Sequence, residues 1–159
     1  YDYWSDTVRR SILLDSRADL LLYGMGEYGL LQVARRLKAG QEISRLTNLK
    51  GSCYVSRTLP PKALELPAYE QVKEDKKAFA QATRMIEQEQ NPYTGKVLAQ
   101  KHGGSWVVQN PPSIPLSTRE MDEIYNLPFL RLSHPVYYCW GGVPGLKPVQ
   151  FSIVTHRGC

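Results

Sequence analysis

The 159-residue sequence contains no apolar run of membrane-spanning length, no leader-like apolar start, no internal repeat and no low-complexity tract. Its longest apolar runs, such as Leu20-Leu21-Leu22-Tyr23, are the size of a strand, which predicts a soluble protein with no membrane partner. Cysteine is scarce: Cys53, Cys139 and Cys159 are odd in number and far apart, with no Cys-x-x-Cys pair. That pattern excludes a disulfide-dense scaffold and points to a reducing, cytoplasmic setting. Histidine is equally sparse, and no Ser-His-Asp or Cys-His order can be assembled from His102, His134 and His156. Charge of one sign is never concentrated: 20 Lys and Arg are interspersed with 15 Asp and Glu, leaving a net charge of +5. A mildly basic, solvated surface follows. The pI of about 9.1 and the Tyr residues interleaved with Lys and Arg keep a non-catalytic RNA-binding module open, which a steep loss of single-strand affinity with salt would reveal.

What is present is enough for one domain with a core, since 42% of the residues are hydrophobic. The stretch ADLLLYGMGEYGLLQVARRLKAG reads as strand, turn and helix. Asp19 to Tyr23 is the strand, and Gly24 and Gly26 punctuate it. Leu30, Val33, Ala34 and Leu37 then recur at helical spacing, with Arg35, Arg36 and Lys38 at the dipole's negative end and Gly40 as the stop. The spacing predicts that Leu37 is buried. Gly51 to Ser56 reads as a second strand, so residues 1–58 predict the trailing part of an alternating α/β unit with a parallel sheet. Its unpaired sheet surface predicts self-association.

Leu59-Pro60-Pro61 marks a change of composition, and residues 59–148 read as a helical and irregular insertion. Within it a long helix is expected over Tyr69 to Gln90 on the stripe Val72, Phe79, Ala82 and Ile86. A short helix follows from Lys96 to His102, closed by Gly103-Gly104, and then a strand at Trp106 to Gln109. Ser117-Thr118-Arg119-Glu120 is a capping box opening a helix to about Asn126, with Met121, Ile124 and Tyr125 facing a core. Residues 149–159 begin a third segment, where Val149, Phe151 and Ile153 alternate with Gln150 and Ser152 as in a buried strand that leads into Thr155-His156-Arg157-Gly158-Cys159. A strand stopping on Arg157-Gly158-Cys159, and a start on Tyr1-Asp2-Tyr3-Trp4, suggest an excerpt of a longer polypeptide.

Among residues able to carry chemistry, Gly24, Gly26 and Glu27 stand where a strand ends and a helix opens, a position at which backbone N–H groups can approach a cofactor. The third glycine of a dinucleotide fingerprint and the lysine of a phosphate loop are missing, and a tight turn with Glu27 at the helix N-terminus accounts for the same residues. His102 reads as a surface residue and His134 as a loop packing element. His156 and Cys159 are two donors where a closed zinc site needs four. Cys53 and the aromatic-flanked Cys139 read as inert thiols. Trp4, Trp106 and Trp140 fit core or interface packing, or stacking platforms for bases.

Three separated stretches carry a resemblance: YDYWSDTVRRSILLDSRADLLLYGMGE, NPPSIPLSTREMDEIYNLP, and the terminal run ending THRGC. Together they resemble the YgiQ family of radical SAM proteins over nearly the whole chain. The resemblance implies that residues 1–58 end a Rossmann-like, cobalamin-binding-like domain, although no corrinoid ligand is carried over to these residues. It implies that residues 149–159 begin a partial barrel, truncated after its first strand, and that Cys159 is the first cysteine of a three-cysteine loop. Such a loop holds a [4Fe-4S] cluster whose open iron binds S-adenosylmethionine, with thiolates as the ligands. The other two cysteines are absent from this sequence, which predicts no complete cluster and no activity from these 159 residues alone, on a substrate the residues do not specify. A docking domain that only positions a barrel is the remaining alternative.

Overall fold

The structure is a computed structural model that describes residues 1–154. It divides into two compact units, residues 1–116 and residues from 117 onward. The first unit opens with the one-turn helix α1 (Ile12–Asp15), followed by strand β1 (Leu20–Leu22), helix α2 (Glu27–Lys38) and strand β2 (Ser52–Ser56). Strand β3 (Leu64–Leu66), helices α3 (Tyr69–Glu74) and α4 (Lys76–Gln88), and strands β4 (Leu98–His102) and β5 (Ser105–Gln109) complete it.

All five strands join one sheet in the order β1-β2-β5-β4-β3. The expected parallel arrangement is corrected by the pairing: β1 with β2, β2 with β5 and β5 with β4 are all antiparallel, and only β3 with β4 runs parallel. The reason lies in the connections. Between β3 and β4 the chain spends two helices, the long crossover that parallel neighbours require. After α2 it turns back instead: a 3-10 turn at Ile43–Arg45 carries it into the buried Leu46 and Leu49, so that β2 runs against β1 and the Gly51 carbonyl accepts from Tyr23 N at 2.8 Å. Strands on both sides of Leu59 thus share one sheet, three of the five coming from beyond it.

Several local expectations change with this topology. Helix α2 forms where the spacing places it, but of its stripe only Val33 turns inward: Leu30 is 64% and Leu37 43% exposed, and Ala34 is exposed as well. The buried position is Gly29, because Leu22 of β1 lies against it, within 3.4 Å of where a Cβ would stand. A glycine at that contact lets the helix sit close on β1, with Val33 and Arg36 continuing the inward face as half-buried side chains. The helix expected over Tyr69 to Gln90 is broken at Asp75, whose extended backbone (φ −119°, ψ 115°) ends α3 and whose carboxylate caps α4 by accepting from Lys77 N at 2.8 Å. Val72 and Ala82 of the stripe are buried, as the spacing predicts. The short helix expected over Lys96 to His102 is strand β4, closed onto β5 by the two-residue Gly103-Gly104 turn with Gly103 at φ +58°.

The core lies on both faces of the sheet. Leu98 and Ala99 are adjacent in β4 and so point to opposite faces, yet both are buried, at 2% and 0% exposure. Val108 of β5 pairs with Ala99 and is likewise 0% exposed. Helix α3 packs against β4 and α1 against β2.

The second unit contains helix α5 (Thr118–Tyr125), with the capping box formed as the sequence predicts. Glu120 N donates to Ser117 Oγ at 3.3 Å, and the Glu120 carboxylate accepts from Ser117 N at 2.8 Å. These bonds, the backbone one first, hold the Glu120 carboxyl below the usual carboxylate range. Met121 and Ile124 are only half-buried and Tyr125 is exposed, so no core forms beneath them. Two 3-10 turns follow, Pro135–Trp140 and Pro144–Leu146. The strand expected over Val149 to Thr155 is not seen in its described part, since residues 149–154 are turn and irregular backbone with no ladder partner. Thr155 to Cys159 lie outside the described residues. No helix among the described residues is long and apolar enough to cross a membrane.

Candidate functional site at the strand ends

The glycine turn after β1 is held from below by a polar network. Asn110, 6% exposed at the end of β5, donates from Nδ2 to the Thr47 carbonyl at 3.0 Å and to Ser52 Oγ at 3.1 Å. Ser52, fully buried, donates from Oγ to the Leu49 carbonyl at 2.6 Å. Asn110 N donates to the Ser52 carbonyl and Gly51 N to the Pro111 carbonyl, at 2.9 and 2.7 Å. Above them, the Tyr23 hydroxyl donates to the Asn110 carbonyl. Burial pushes the Tyr23 phenol up to about 12, so it stays a donor at any physiological pH.

On this base Gly24 adopts φ +71°, a left-handed conformation that costs a side chain dearly, with open space around it. Gly26 is the N-cap of α2, at φ −80° and ψ −4°, and offers no side-chain cap. Glu27 is half-buried in the first turn, where its charge complements the helix N-terminus. The three sequence candidates Gly24, Gly26 and Glu27 are therefore contiguous at one strand end. They form the tight turn between β1 and α2.

A second cluster surrounds His102, and sequence reasoning placed it wrongly. His102 is 8% exposed at the end of β4, stacked on Tyr69 of α3 with ring centroids 5.0 Å apart and planes 12° apart. The Gln100 amide fixes its tautomer: Gln100 Nε2 donates to the Pro67 carbonyl at 3.0 Å, which turns its Oε1 toward His102 Nε2 at 3.1 Å. The proton therefore sits on Nε2, and buried Nδ1 has no hydrogen-bond partner. Tyr69 OH donates to the Val8 carbonyl at 3.2 Å, and Arg10 pairs with Asp15 at 2.7 Å, tying the N-terminal segment to the same corner. Glu70, held low by its own backbone N–H and that of Gly103, also faces the ring.

Burial lowers the His102 pKa; the negative charges of Glu70 and Asp15 oppose that shift and Arg10 reinforces it. The unfolded chain then binds the extra proton first, so His102 contributes stability that is present above its ordinary pKa and lost as pH falls through the lowered one. Thermal unfolding in steps between about pH 7 and pH 5 should show the melting temperature falling with pH, and His102→Phe, which keeps the stack but takes no proton, should flatten that slope. Equal slopes in the two proteins would rule the effect out.

Metal donors do not converge. Among the described residues no group of three or more His, Cys, Asp or Glu side chains could hold an ion. Burial in β2 raises the Cys53 thiol to about 11, so it is no thiolate. Cys139 is exposed and donates from Sγ to the Val136 carbonyl at 3.1 Å, while His134 Nδ1 is occupied as acceptor from Val136 N. The described residues therefore do not fit an iron-sulfur cluster. Cys159, the one cysteine assigned to it by resemblance, lies outside them, as does His156. Trp4 and Trp140 are 94% and 76% exposed, which leaves interface packing or stacking and not a core position for these two, and Trp106 is half-buried in β5.

A mixed α/β sheet with one glycine turn at a strand end forms a scaffold on which, among the described residues, no set of metal donors converges. The family that such a scaffold serves is shown by comparison: the radical SAM N-terminal family model matches residues 1–152, and the chain belongs to that family. It is 49% identical over its whole length to a UPF0313 protein of Clostridium botulinum strain 657, 47% to one of Methanocella arvoryzae and 42% to one of Geobacter sulfurreducens. These bear out the YgiQ-type resemblance. The chain spans about a quarter of the length of those relatives, 25%, 26% and 26% respectively. No solved structure matches it.

Proposed function

We propose that the polypeptide containing this chain is a radical SAM enzyme that reductively cleaves S-adenosylmethionine at a [4Fe-4S] cluster, with Cys159 as the first of three cluster thiolates. The observation that supports this reading is the radical SAM N-terminal family match over residues 1–152; Cys159 follows the matched residues in the sequence. Thiolates are the ordinary ligands of such clusters, and one thiolate cannot hold one. The 159 residues therefore serve as the preceding scaffold, with no cleavage of their own. Gly24, Gly26 and Glu27 are the proposed cofactor-facing turn of that scaffold.

The test is anaerobic reconstitution of the full-length polypeptide with iron and sulfide. Wild type should bind about four irons per chain and release 5'-deoxyadenosine from S-adenosylmethionine under reduction. Cys159→Ala should lose both. Unchanged iron content and cleavage in that variant would overturn the assignment. Parallel measurement on the 159-residue chain should show no stoichiometric iron.

A further inference from the structure

Residues 127–154 carry thirteen exposed large apolar side chains, among them Leu130 at 82%, Trp140 at 76%, Phe151 at 80% and Ile153 at 84%. Only two formal charges, Arg131 and Lys147, interrupt the stretch, and no acidic residue does. None of the described residues from 117 onward is buried, so this segment has no core of its own to hide in. A segment that leaves so many large apolar side chains in water marks a surface that something covers.

We propose that residues 127–154 are a docking strap, and that what covers it is the remainder of the same polypeptide: the three quarters of the relatives' length that lies outside the aligned region. The relatives share this segment within chains about four times as long, so the apolar surface to receive it is supplied in the same molecule. A covalently tethered partner is met at an effective concentration in the millimolar range, which a second copy reaches only in concentrated solution. The segment is also prepared to bind. Pro128, Pro135, Pro144 and Pro148 fix its backbone at four points, and the two 3-10 turns are already formed, which lowers the conformational entropy lost on docking. Gly141 and Gly142, at φ +85° and +81° in open space, set the single bend between the turns. This inference rests on the chain's membership of a longer polypeptide and not on cluster chemistry, so its readout needs no iron.

The experiment uses the full-length polypeptide, with and without reconstituted iron. Hydrogen exchange and peptide-mapped alkylation of Cys139, exposed in this structure, report whether the strap is covered. Amides of 127–154 and the Cys139 thiol should react at least about tenfold more slowly than in Trp140→Asp, with β4 and β5 amides equally protected in both proteins. Should Trp140→Asp fail to fold, Leu130→Ser provides the same contrast with a milder change. Exchange of 127–154 in wild type at the rate of a free loop would overturn the proposal. Protection that disappears on dilution would also overturn it, assigning the surface to a second copy; loss of the iron-dependent activity with protection intact would leave the strap standing and count only against the enzymatic reading.

Discussion

Asn110→Ala is expected to cost about 3 kcal/mol of unfolding free energy, one of the largest losses for a polar residue in this fold. The side chain is 6% exposed, and its Nδ2 donates to both the Thr47 carbonyl and Ser52 Oγ, at 3.0 and 3.1 Å. Removing it takes away the donor that the buried Ser52 Oγ accepts from and leaves a void of side-chain size. Buried polar groups left without partners cost more than the net value of the bond they made. The consequences reach the glycine turn, because the Asn110 carbonyl receives the Tyr23 hydroxyl and its N–H meets the Ser52 carbonyl. Ser52→Ala should cost less, about 1 to 2 kcal/mol, and the double variant less than the sum, since the two side chains act on one another. Urea unfolding of the four proteins gives the cycle. A loss under about 1 kcal/mol for Asn110→Ala would mean that water replaces the amide without penalty.

What the sequence made legible was local and periodic. Leu20 to Leu22, Ser52 to Ser56 and Trp106 to Gln109 announce strands by their apolar and β-branched content, and the Ser117-x-x-Glu120 box opens α5 where it should. Direction was not legible. A strand, a helix and a strand in sequence suggest a parallel pair, but the pairing of β1 with β2 is decided by Leu46 and Leu49, which are buried in the return loop and carry no periodic signal. The hairpin of β4 and β5 did announce itself, through Gly103-Gly104 flanked by five strand residues on each side, yet the same glycines also serve as a helix stop. Taking them as a stop turned β4 into a helix and put His102 on the surface. In the hairpin, residue 102 is paired with Ser105 and its ring is covered by Tyr69, a contact between residues 33 positions apart that no local pattern encodes. The outward face of α2 has a similar origin: the helix rotates to seat Gly29 on Leu22, and the leucines that look like a core stripe are left for another surface.

Gly95→Ala is expected to destabilise the first unit by about 2 to 3 kcal/mol and to act on the one parallel strand pair. Gly95 sits in the tight connection from α4 to β4. Its N–H donates to the Asn91 carbonyl at 2.8 Å, Asn91 Oδ1 accepts from Tyr93 N and Thr94 N, and Lys96 N donates to Glu89 Oε2 at 2.8 Å. A Cβ built at position 95 would lie 2.5 Å from the Glu89 carbonyl oxygen and 2.6 Å from that of Asn91. Both are backbone atoms at the end of a helix, so relief requires the chain itself to move rather than a side chain to rotate. Movement there draws on two neighbours. The Lys50 ammonium donates to the Pro92 carbonyl across to the β2 side, and Val97 O, two residues on, accepts from Leu64 N to start the β3–β4 ladder at 2.8 Å. The exchange of β3 and β4 amides should therefore accelerate more than that of β1 and β2 amides, a pattern that uniform destabilisation would not produce. Wild-type stability in Gly95→Ala, or loss of protection spread evenly over the sheet, would show that the turn absorbs a methyl group without shifting the strand it leads into.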